Sequence, residues 1–233
     1  MFNNNVSVNQ TKTSGNLLEA VYGWMAAALA ISAISSYITL SSYSFFVFVH
    51  QNPIALFAVF LLQIGLVVSL SSMLPRLSFA AALGIFFTYA ASVGVTLSAI
   101  FLLYTAGSIA TTFLTTAGMF GFMAAYGHYT KSDLSSMGNI LLMLLFGLVI
   151  SMIFNIFLQN QVLDLVMSAV GVVIFTLLTA YDAQRIKNFI QQQSRAGDQD
   201  MGYKITILGA LMLYLDFINL FIYLLRFMGK RKE

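Results

Sequence analysis

The 233 residues contain no cysteine. Disulfides, thiolate metal sites and cysteine nucleophiles are therefore excluded together, and the redox compartment cannot be read from the chain. Charge is nearly as scarce: Asp, Glu, Lys and Arg make up only 8%, too few to coat a water-soluble domain. Histidine occurs only as His50 and His128, and neither Gly-x-Ser-x-Gly nor His-Glu-x-x-His is present. Serine and zinc hydrolysis lack their parts, so the chain is expected not to be an enzyme and to need no cofactor. Met1 to Asn16 has no basic start followed by a short apolar core and a small-residue cleavage site. It reads as a polar, disordered tail rather than a signal peptide.

What is present is hydrophobic: 59% of the residues, with a mean hydropathy of +0.86. Apolar runs recur near the ~20 residues that a helix needs to cross a bilayer. They are continuous rather than alternating, which indicates helices and not barrel strands. Seven spans are expected, at Leu17 to Leu40, Pro53 to Leu74, Phe79 to Leu103, Ile109 to His128, Ile140 to Phe157, Leu165 to Ile186 and Tyr203 to Phe227. The expected organisation is an N-terminal tail (1–16), one transmembrane domain (17–228) and a short basic tail (229–233). Connections are short apart from Lys187 to Gly202, which reads as the one real loop. Gly84, Gly94, Gly118, Gly121, Gly171 and Gly209 read as sites of close helix approach.

Orientation follows the basic residues. The side that holds the N-terminus would carry Lys12, Arg76, Lys131, Arg185, Lys187, Arg195 and Lys204, and the loops opposite carry none, so the N-terminus is expected in the cytoplasm. Arg226, Lys230, Arg231 and Lys232 then lie outside, against the same rule.

Of eight acidic residues, Glu19, Asp133, Asp164, Asp198, Asp200 and Glu233 fall at span ends, in loops or in the tail, where water reaches them, which leaves Asp182 and Asp216. A charge in hydrocarbon costs roughly 2.5 to 3.5 kcal/mol on insertion scales, so each should face protein or water and have a partner. Asp182 has a candidate in Arg185, three residues on and on the same helical face, which would leave Asp216 simply protonated. Periodicity alone does not bring the two aspartates together. The last span also carries a seam, Asp216, Asn219, Tyr223 and Arg226, spaced 3, 4 and 3, as expected of a helix lining a polar path. Arg76, after Pro75 in a tight link, reads equally as a cytoplasmic anchor.

Leu213-Tyr-Leu-Asp-Phe-Ile-Asn-Leu-Phe221, with Tyr181-Asp182 and Gln184-Arg-Ile-Lys187, resembles the Bax inhibitor-1 family, in particular its bacterial inner-membrane members. Thr130-Lys-Ser-Asp-Leu134 and Gly94-Val-Thr-Leu97 support the match. The resemblance implies an all-α fold of seven transmembrane helices with the last one central in a ring of six. It also implies a pH-sensitive calcium leak gated by two aspartates sharing a proton, with Asp182 and Asp216 in those positions and Arg76 as a basic latch. Two carboxyls at hydrogen-bond distance in a poorly hydrated site cannot both ionise cheaply, so such a pair holds one proton near neutral pH. Calcium prefers six to eight oxygen ligands, and no span offers that cluster, so Asp182 and Asp216 would bind it only weakly and transiently.

The family is also associated with stress survival and, in bacteria, with modulation of a membrane protease. A regulatory protein that binds membrane partners is therefore the alternative. An aspartyl-protease reading of the dyad lacks any accompanying motif, and a retinal receptor lacks a buried lysine in the last span. Expected partners are the bilayer, calcium and protons, with a membrane protease under the alternative, and no nucleic acid.

Overall fold

The computed structural model describes residues 2–196 and 198–232, without the side chains of residues 2–13, 195–196 and 199. Most of the segment read as a polar tail thus lies outside the fully described residues. The elements are α1 (Phe2–Ser41), α2 (Tyr43–Gln51), α3 (Pro53–Met73), a 3-10 turn (Leu74–Arg76), α4 (Phe79–Leu103), α5 (Ala106–Tyr129), α6 (Ser135–Leu158), α7 (Gln161–Ala196) and α8 (Gln199–Met228). All of the α-helices except α2 include a stretch long and apolar enough to cross a membrane, giving seven spans. Among the described residues there is no strand, only an isolated bridge between Tyr104 and Arg231. The expected all-α polytopic class is what the chain adopts.

Two local expectations are corrected. The stretch from Lys187 to Gly202 is not a loop, because α7 runs on to Ala196 and α8 begins at Gln199. Ile186 and Ile190, one turn apart, are both buried, and the glutamines that follow are straight-chain helix formers, so the polar run continues the helix. Asp198 then starts α8 by accepting the Met201 N–H at 3.0 Å. The second correction is α2, which was hidden in a presumed connection. Its nine residues span about 13 Å, too short to cross, and its exposed Tyr43, Phe45 and Phe48 suit a membrane interface.

The chain forms two compact units, one from Met1–Leu103 with Phe189–Leu211, the other from Tyr104–Asn188 with Met212–Glu233. In the first, α1 is stitched to α4 by hydroxyls: Ser32 donates to the Ala90 carbonyl and Ser35 to that of Ala91, both at 2.7 Å. Gly94 lies against the Ser32 carbonyl, where a Cβ would collide. Trp24 packs edge-on to Phe79 and Phe87.

In the second unit the close approaches between helices include Gly127 on the Ala180 carbonyl, Gly138 on the Tyr181 ring and Gly171 on the Tyr223 ring. Of the glycines singled out in the sequence, Gly94 and Gly171 pack this way, whereas Gly84, Gly118 and Gly121 would carry a Cβ in open space. Phe113 and Phe120 of α5 meet Phe217 of α8 edge-on. The chain end folds back on the start of α5: Thr105 N–H donates to the Lys230 carbonyl at 3.1 Å, and Lys230 N–H to Ser108 Oγ at 2.9 Å.

Candidate functional site

The last span is the most enclosed: 61% of its apolar window is buried, against 6% for Pro53–Arg76. A helix so enclosed can carry a carboxyl without exposing it to lipid. Asp216 lies in it, 4% exposed and about 18 Å from the end of α8. Its Oδ2 is buried and has no hydrogen-bond partner among the described residues. A buried carboxyl oxygen without a donor costs on the order of 1 to 3 kcal/mol or more, so this carboxyl weakens the fold where it stands.

Asp182 supplies the second carboxyl. Because α7 extends to Ala196, Asp182 sits about 21 Å inside the helix end rather than at it. The Asp182 carboxyl is within electrostatic reach of Asp216, and it also feels the Arg185 guanidinium.

Antiparallel helices keep the two elements in step. On α7, Asp164, Ser168, Gly171, Phe175 and Asp182 recur at spacings of 4, 3, 4 and 7, which places them on one face. On α8, Asp216, Asn219 and Tyr223 do the same. The polar seam is not continuous, however. Asn219 turns its side-chain amide back to the Leu215 carbonyl at 2.8 Å. Tyr223 is 7% exposed; its ring stacks on Phe175 with centroids 5.6 Å apart, and its hydroxyl donates to Met152 Sδ at 3.1 Å. Arg226 is exposed at the helix end.

Arg76 ends the 3-10 turn in the first unit. It is exposed and makes no ion pair among the described residues; Lys204, by contrast, pairs with Asp200 at 2.6 Å. No group of three or more His, Cys, Asp or Glu among the described residues is placed to hold a metal.

The segment that carries Asp182 is clamped in a way the sequence did not reveal. Gln184 accepts the Leu134 N–H at 2.9 Å and donates to the Ser132 carbonyl at 2.8 Å. Lys187 donates to the His128 carbonyl at 2.6 Å, capping the end of α5. The stretches Thr130–Leu134 and Gln184–Lys187, noted separately in the sequence, are thus two halves of one contact. It ties the α5–α6 loop to α7 one turn beyond Asp182.

The family model described as "Inhibitor of apoptosis-promoting Bax1" (Bax1-I) matches residues 15–233. The inner membrane protein YbhL of Escherichia coli K12 is 43% identical over 212 residues, 91% of this chain and 90% of the relative. An uncharacterized protein of Borreliella burgdorferi is 42% identical over 93% of the chain and 92% of its own length. YrjE of Lactococcus lactis is 35% identical over 98% and 97%.

Proposed function

The chain belongs to the Bax1-I family of membrane proteins, and we propose that this member is a pH-sensitive calcium leak pathway of a bacterial inner membrane, gated by Asp182 and Asp216. The observation that carries the reading is the buried Asp216 carboxyl, with an oxygen that has no donor among the described residues and a second carboxyl in electrostatic reach. One proton shared between the two fills that vacant place, and its loss leaves two like charges in a poorly hydrated site. The site then favours a cation, water or separation of the helices. The inner-membrane setting is that of the similar YbhL, and the basic residues favour a cytoplasmic N-terminus. Calcium passes with few ligands, the two carboxyls aided by carbonyls and water, so its binding is weak and transient. Arg76 is the proposed latch.

The test is calcium flux into liposomes containing purified protein, from about pH 5 to pH 8, for the parent chain, Asp216→Asn and Asp182→Asn. The expected result is a pH-dependent leak in the parent and loss of that pH dependence in either variant. Absence of flux above empty liposomes at every pH, with the protein folded and inserted, overturns the reading. The family's regulatory role, binding a membrane protease or other membrane partner, is then the function to pursue.

A further inference from the structure

Along the facing surfaces of α7 and α8 the aspartate pair is followed, two helical turns or about 10 Å further toward the C-terminal end, by an aromatic stack. Asp216 and Tyr223 are seven residues apart on α8, and Asp182 and Phe175 are seven apart on α7. Since the helices run antiparallel within the second unit, the two pairs lie at two successive levels. Beyond the stack the same face of α7 becomes polar again, with buried Ser168 and then Asp164, five turns from Asp182. The seam is polar at both ends and apolar in the middle.

We infer that Tyr223, stacked on Phe175 and seated on Gly171, is the barrier separating the aspartate pair from the membrane face that carries the C-terminus, and that it determines permeation. Three features of its setting support this. A Cβ on Gly171 would lie 2.5 Å from Tyr223 Cδ1, so the ring rests directly against the α7 backbone and leaves no space for water between the helices at that level. The hydroxyl is satisfied only weakly, because a thioether sulfur is a poor acceptor. A buried phenol in that setting gains by turning toward water or an ion. Asn219, the next polar side chain toward Asp216, is bonded to its own helix and offers the ring no competing partner.

The inference rests on the proposed conduit running along α7 and α8, but its test needs no ion flux. Because the chain has no cysteine, Asn219→Cys gives a single reporter beside Asp216. The reporter is placed in sealed vesicles sorted by orientation, and a charged, membrane-impermeant thiol reagent is applied at the face carrying the C-terminus. With Tyr223 in place, labelling is slow. Tyr223→Ala accelerates it by about tenfold or more, as does Gly171→Ala, which drives a methyl group into the ring. Tyr223→Phe keeps the ring and stays slow. Equal labelling rates with and without Tyr223→Ala overturn the barrier, as does Tyr223→Phe opening the site as fully as Tyr223→Ala. Faster labelling from both faces at once reports general loosening and also overturns it. Failure of the pH-gated leak is read separately, from calcium flux in the parent chain, which leaves this result intact.

Discussion

Asp133 illustrates what one side chain does at the entrance to a helix. Its carboxyl accepts the Ser135 N–H at 2.9 Å, and the Ser135 hydroxyl and amide together hold it below its ordinary value of 3.8. A carboxyl depressed in the folded state contributes stability that is fully present above its unfolded value and is lost as pH falls through the folded one. Protection of the Ser135 amide, its exchange rate relative to the unfolded chain at the same pH, is therefore expected to hold above about pH 4 and to fall below it, and Asp133→Ala should lower that protection at all pH values, as read by hydrogen exchange. The sequence exposed Asp182 and Asp216 plainly, as the two carboxyls inside apolar runs. It hid Gln184, because the partners of Gln184 are the backbone groups of Ser132 and Leu134, some fifty residues away, and backbone groups leave no mark on residue type.

Helices were the most legible elements, since an apolar run near membrane length admits few other structures. Their ends were not, because the Gln and Asn that prolong α7 look like loop residues by polarity while favouring or tolerating helix by conformation. Glycine is ambiguous for a related reason: its use depends on what faces it. At Gly94 a methyl would meet the Ser32 carbonyl, and at Gly127 that of Ala180, so Gly94→Ala and Gly127→Ala should each cost about 1 to 3 kcal/mol of stability. At Gly84 a methyl enters open space, and Gly84→Ala should be neutral or stabilising by up to about 1 kcal/mol. Thermal unfolding of the three variants in one detergent checks the contrast, and equal shifts would contradict it.

At the scale of the whole molecule, the spans can be tested by the faces they reach. Within the second unit, Lys131 lies in the loop between α5 and α6, whereas Arg231 pairs with Tyr104 just before α5, so the length of α5 separates them. Lys131→Cys and Arg231→Cys, introduced singly, are expected to label from opposite sides of the membrane. Labelling from one side would mean that an apolar helix fails to cross. The four cations near the C-terminus then stand opposite the other basic loops, as an odd number of crossings requires.

Neither unit is a continuous run of chain. The first joins residues 1–103 to 189–211, and the second joins 104–188 to 212 onward. During synthesis the first three spans are complete long before residue 189 has been made. The serine and glycine contacts between α1 and α4 can form at once, but the first unit stays unfinished until most of the protein has been translated. Both units are completed within the final stretch of α7 and α8, so assembly is timed by the end of translation, and a chain broken off before residue 211 contains neither unit whole.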